Sequence, residues 1–115
     1  PATLPPRDIR LAMPRFQSEH YPKNLALLDG FAAIARENDC TMAQLALAWL
    51  LTKGPHILPI PATTNLAHLA ENAKAAEVRL LPGTMERMDA LINPRTVSGP
   101  RYNAAQLPEI DTEGD

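Results

Sequence analysis

The turn Ala62-Thr63-Thr64-Asn65 holds the residue types best suited to chemistry. Small side chains there leave backbone N–H groups and two hydroxyls at the start of a predicted helix. The positive end of a helix dipole favours an anion, so the arrangement suits a phosphate. Thr63, Thr64 and Asn65 are equally good N-cap residues, and every helix start needs one. The three histidines are scattered: His20 precedes the first predicted helix, His56 enters an apolar run, and His68 follows the turn. Tyr21 and Tyr102 supply the phenols. A tyrosine acid needs a neighbouring Lys or His to tune its proton, and the sequence places no such constellation. Cys40 stands alone, which excludes an internal disulfide and leaves zinc without its usual thiolates. A thiol at a helix start can be acidified, although a lone thiol between helices is ordinarily inert.

These groups must be positioned by a chain that reads in three regions. Residues 1–22 contain five prolines and no sustained period, which predicts an extended arm or loop. Residues 23–92 carry apolar side chains at helical spacing, broken by two Pro/Gly clusters. Residues 93–115 fade into a tail of Pro, Gly and acidic residues. In the middle region, Asn24 to Glu37 puts Leu27, Leu28, Phe31, Ile34 and Ala35 on one helical stripe. Gly30 costs that helix about 1 kcal/mol relative to Ala. Thr41 and Gln44 form a capping box for the next helix. Its stretch Leu45–Leu51 is apolar nearly all round and so is expected to be buried on more than one side. Gly54 is expected as a left-handed stop.

His56-Ile57-Leu58-Pro59-Ile60-Pro61 reads as a short buried strand, irregular at Pro59, which has no N–H to donate. A helix carrying Leu66, Leu69, Ala70 and Ala73 follows. A last helix is expected from Pro82 to Ile92, facing inward with Met85, Met88 and Leu91 or Ile92. Leu81 cannot cap it and Gly83 is a poor helix former, so its start should be frayed and the helix shortened. The order is helix, helix, strand, helix, helix: mainly α with one short strand. A lone strand leaves its backbone groups unpartnered, so the chain reads as one domain by size and an incomplete one by its elements.

Composition narrows the function. The chain has 115 residues, 45% hydrophobic and 21% charged, with net charge −2. That is too short for a complete eight-stranded βα barrel, which typically needs about 250 residues. No global basic balance suggests nucleic acid, and no apolar run approaches the roughly 20 residues of a membrane span. A Pro-rich start without a basic-then-apolar pattern predicts no secretory leader, hence a cytoplasmic protein.

Thr41-Met42-Ala43-Gln44-Leu45-Ala46-Leu47-Ala48-Trp49-Leu50-Leu51, then Ile57-Leu58-Pro59-Ile60-Pro61-Ala62-Thr63, then Glu71-Asn72, resembles the C-terminal part of an aldo-keto reductase. Pro14-Arg15-Phe16-Gln17 and Asn24-Leu25-Ala26-Leu27 resemble the stretch after the seventh barrel strand of bacterial members. Arg101-Tyr102 resembles their C-terminal substrate loop. The resemblance implies the C-terminal portion of a (β/α)8 TIM barrel, incomplete as a single chain. It implies a family that passes a hydride from NAD(P)H to a carbonyl, with a catalytic Asp, Tyr, Lys and His on earlier strands. No catalytic residue is therefore expected in this chain, which is predicted to be inactive as a reductase by itself.

For the cofactor, NADP or NAD, the resemblance implies a partial site. Thr63 matches a small hydroxyl residue that contacts phosphate, and Glu71 and Asn72 match a pair that reads the adenine or its ribose. Many NADPH-preferring members are basic near the positions of Thr64, Asn65 and His68; this chain is not. Fixed Arg or Lys donors are the usual answer to a ribose 2′-phosphate, so binding is expected to be weak. Were His68 to serve instead, NADPH affinity would improve on acidification, because imidazole then gains charge. The expected partners are a nicotinamide nucleotide and the missing barrel portion or another copy of the chain, with no nucleic acid and no membrane. A second reading is a helical self-association module derived from a degenerate barrel, hiding Ala46 to Leu51 against another copy. A third, a DNA-binding helix-turn-helix at Thr41 to Leu51, lacks the Arg, Lys, Asn or Gln of a recognition helix.

Overall fold

A computed structural model describes residues 4–110. The ends of the predicted arm and tail, residues 1–3 and 111–115, lie outside the described residues. Four helices form: α1 (Tyr21–Glu37), α2 (Met42–Thr52), α3 (Leu66–Lys74) and α4 (Thr84–Leu91). They belong to two compact units, one of Asp29–Ile92 and one of the described residues up to Leu28 with those from Asn93 onward.

The Asp29–Ile92 unit holds the larger core. Phe31, Ile34 and Ala35 recur at the spacing of one helical face and are buried with Leu45 of α2 and Met88 of α4. Cys40, Trp49, Leu80 and Leu91 pack against them. Gly30 has a packing reason to be in α1: a Cβ there would stand 3.0 Å from Leu91 Cδ1. Buried Asn38 ties the end of α1 to the start of α4. Its Nδ2 donates to Ile34 O at 2.8 Å, and its Oδ1 accepts from Leu81 N at 2.8 Å and Thr84 Oγ1 at 3.1 Å. The expected shortening of the last helix is seen. It starts at Thr84 after Gly83, which lies in the left-handed region at φ 79° and supplies no side-chain cap.

Four expectations need correction. The strand over His56 to Pro61 does not form; there is no strand among the described residues, and Leu58 and Ile60 are 83% and 93% exposed rather than buried. A strand exists only by pairing, and Pro59 and Pro61 lack the N–H that pairing needs. Helix α2 is buried on one side only, through Leu45 and Ala48, with Met42 and Leu51 exposed. Gly54 sits at φ 158°, nearly extended, and α2 instead ends through Lys53, whose N–H reaches Leu50 O at 3.0 Å. Helix α3 buries no side chain at all, although Asn65 caps it as expected. Its apolar stripe is present in the sequence, but Leu66 lies open to solvent and Leu69 only borders α2 across an open groove.

In the other unit the Pro-rich stretch makes two 3-10 turns, Ile9–Ala12 and Pro14–Phe16. Asp8 caps the first, accepting from Arg10 N at 2.9 Å, while the Arg10 guanidinium grips the same carboxylate. Phe16 and Tyr21 stack with ring centroids 5.8 Å apart. The later segment is stapled to the start of α1. Asn24 Nδ2 donates to Ser98 O at 2.9 Å, and Ser98 N donates back to Asn24 Oδ1 at 2.8 Å. Arg15 Nε adds a bond to Gly99 O at 3.2 Å. Pro22 falls in the first turn of α1, where a missing N–H costs nothing.

Candidate functional site

The start of α3 is built by its own turn. Thr63 Oγ1 accepts from Asn65 N at 3.1 Å, which sets Asn65 in an extended conformation. Asn65 Oδ1 then accepts from Ala67 N at 2.8 Å and His68 N at 3.4 Å. Leu69 N closes the first helical bond onto Asn65 O at 2.9 Å. The first amides of α3 are thereby partly satisfied by an internal carbonyl oxygen, and the turn is held in shape without a ligand.

All six predicted site residues lie on this one short piece. Thr63, Thr64, Asn65 and His68 are exposed, and Glu71 and Asn72 are half-buried. By helical spacing His68, Glu71 and Asn72 share an arc of about 100°. Gln44 Nε2 donates to Glu71 O at 3.1 Å, so the residue that completes the α2 capping box also fixes α3. Asn72 borders an open groove of about 270 Å³ lined by Leu47, Leu51, Pro59, Pro61 and Leu69. The hydroxyls of Thr63 and Thr64 thus stand at the start of α3, and the apolar groove runs beside its Leu69–Asn72 stretch.

The turn is nearly free of formal charge. No Asp, Glu, Lys or Arg occurs from residue 54 to residue 70. Lys53, the nearest cation before the turn in the chain, is engaged elsewhere. Its ammonium lies 2.9 Å from Asp89 and 4.4 Å from the centre of the Trp49 ring. Trp49 Nε1 donates to the same carboxylate at 2.7 Å. Together Lys53 and Trp49 hold the Asp89 carboxyl below its ordinary pKa.

The other predicted chemical groups are structural. His20 Nδ1 pairs with Ser98 Oγ at 2.9 Å and its Nε2 lies 3.1 Å from Glu19. His56 is exposed. Cys40 is not acidified: burial raises its thiol pKa, Asp39 adds to the rise, and Sγ donates to Ala35 O at 3.6 Å. Arg101 and Tyr102 touch one another, guanidinium over ring at 5.4 Å. Among the described residues no group of three His, Cys, Asp or Glu could hold a metal ion, and no helix is long and apolar enough to cross a membrane. Sequence reading missed Asn38, the Gln44–Glu71 tie and the Asn24–Ser98 staple, since each joins residues distant in the chain and leaves no local pattern.

A model of the Aldo/keto reductase family matches residues 4–93. The chain belongs to the aldo/keto reductase family. It is 40% identical over 102 residues to the Schizosaccharomyces pombe protein called aldo-keto reductase yakc (NADP(+)), covering 89% of this chain and 30% of that protein. It is 32% identical over 110 residues to an aldo-keto reductase of Gibberella moniliformis, covering 96% of this chain and 33% of that protein. The chain spans about a third of the length of these curated relatives.

Proposed function

We propose that this chain supplies the adenosine and phosphate side of a nicotinamide-nucleotide site in an NAD(P)H-dependent reductase, and no catalytic group. Its architecture would be the C-terminal part of a (β/α)8 barrel. The observation that carries the reading is the Asn65-capped start of α3, which leaves Thr63, Thr64 and His68 open to solvent within a stretch that matches the family. Thr63 and Thr64 would donate hydroxyl hydrogens to phosphate oxygens at the positive end of the helix. Glu71 and Asn72, on the same face, would hydrogen-bond the adenine or its ribose. The similar Schizosaccharomyces pombe protein carries NADP(+) in its name, which favours the same cofactor class here.

The donor set fits a pyrophosphate better than a ribose 2′-phosphate. Hydroxyls and helix-start amides are present, while the turn has no Arg or Lys and only His68 to answer extra charge. The bound nucleotide would supply the hydride; this chain would bind and orient its distal end. The aldo-keto reductase resemblance assigns the catalytic Asp, Tyr, Lys and His to earlier strands. Neither Tyr21 nor Tyr102 stands in the matching motif.

Calorimetric titration with NADPH, NADH and 2′-phospho-AMP tests the site. Both dinucleotides should bind weakly and comparably, and Thr63→Val should weaken both. Absence of heat at millimolar nucleotide would overturn the cofactor reading. Generic aldehydes with NADPH should show no turnover, and robust turnover would overturn the assignment of chemistry to other strands.

A further inference from the structure

The side-chain amide of Gln44 is used at both ends. Its Oε1 accepts from Thr41 N at 3.1 Å, which turns Nε2 towards α3, where it donates to Glu71 O at 3.1 Å. That carbonyl is open for a reason. In an unbroken α-helix the N–H four residues on, that of Ala75, would fill it. Ala75 N–H instead bonds Asn72 O and Ala73 O, as the chain tightens into the 3-10 turn Ala75–Glu77. The peptide unit that Gln44 grips is the one joining Glu71 to Asn72. Turning α3 by one residue position would swing a side chain through about 100°, off the face that this pair shares with His68. Both partners lie within the Asp29–Ile92 unit, so the contact needs nothing outside it.

We propose that Gln44 is a positioning residue for the adenosine end of the nucleotide, setting through Glu71 O the rotation of α3 and the aim of Glu71 and Asn72. This role rests on the nucleotide reading given above. Gln44 itself touches no nucleotide. It acts by holding the reading pair in place before binding, which lowers the cost of ordering that pair around the ligand. The phosphate side is shaped separately, by Thr63 Oγ1 on Asn65 N and by Asn65 Oδ1 on Ala67 N. Asn65 also stands six residues, about 9 Å of helix, from Glu71. Gln44 is therefore expected to govern adenosine and to leave pyrophosphate alone.

Two substitutions separate this role from the capping of α2. Gln44→Glu keeps an oxygen for Thr41 N, since Glu serves a capping box as well as Gln does. It replaces the donor to Glu71 O by a carboxylate oxygen, which repels that carbonyl. Thr41→Ala does the reverse: it removes the hydroxyl that accepts from Gln44 N and leaves the Nε2 bond in place. The whole chain is titrated with adenosine, which is uncharged, and with inorganic pyrophosphate, each followed by amide shifts in NMR. About 0.15 M salt screens the added charge beyond about 8 Å. Gln44→Glu should weaken adenosine about fivefold, the worth of one hydrogen bond, and change pyrophosphate by less than about twofold. Thr41→Ala should change neither by more than about twofold. In Gln44→Glu the α3 amides should also exchange with deuterium faster, and those of α2 should not. A chain that gives no shift with about 10 mM adenosine would overturn both this role and the nucleotide reading. Adenosine binding that Gln44→Glu leaves unchanged would overturn the Gln44 role alone. So would equal losses from the two substitutions, or equal losses of the two ligands, since either would make Gln44 a support of the fold and nothing more.

Discussion

Asn38 shows how one polar side chain can decide where a helix begins. Its amide bridges Ile34 O, Leu81 N and Thr84 Oγ1 inside the core, and so compensates for the missing side-chain cap at Gly83. Asn38→Ala should cost about 2 kcal/mol, because buried donors and acceptors lose their partner. The shift in urea midpoint of the helical signal measures it. Asp8 gives a residue-scale test in pH. The Arg10 guanidinium and backbone N–H lower its carboxyl pKa from 3.8 to about 2. A lowered folded pKa means that the contact contributes fully above pH 3.8 and is lost as pH falls towards 2. The Asp8 carboxyl carbon should titrate in NMR near the lower value, and Arg10→Ala, which removes the guanidinium but keeps the backbone N–H, should raise it only part of the way back.

At the scale of elements, local pattern and tertiary demand part company. The capping box of α2 and the Asn65 cap of α3 were legible because each is closed within three residues of sequence. The α4 start is different: Gly83 is required by its φ of 79°, and a Cβ there would meet nothing within 4 Å. Gly83→Asn should therefore be nearly neutral, while Gly83→Val should cost about 1–2 kcal/mol through backbone strain alone. Thermal unfolding of the two variants separates them. Helix α3 has its full apolar stripe and buries none of it. Its amides should exchange with deuterium well before those of Ile34, Ala35 and Leu45, as helices without buried contacts open locally at little cost. Equal protection in mass-resolved exchange would contradict the exposure described here.

Across the whole molecule, the sequence was a good guide to which residues are helical and a poor guide to what covers them. Leu58, Ile60, Leu66 and Leu69 read as core because they are large and periodic, yet all four face water. Burial depends on the presence of a second surface, and the sequence of one surface does not supply the other. The six predicted site residues gathered on one turn and one helix face because they were near neighbours in the chain. The contacts that steady that face, such as Gln44 to Glu71, came from outside it and left no mark in spacing.

The prolines at 59 and 61 bear on more than a missing strand. Pro59 and Pro61 have no N–H and Ile57 N is bonded to Gly54 O at 3.1 Å, so along one side this stretch has no main-chain donor left to offer. An uncharged, oily stretch without donors along one side is a poor template for stacking into filaments.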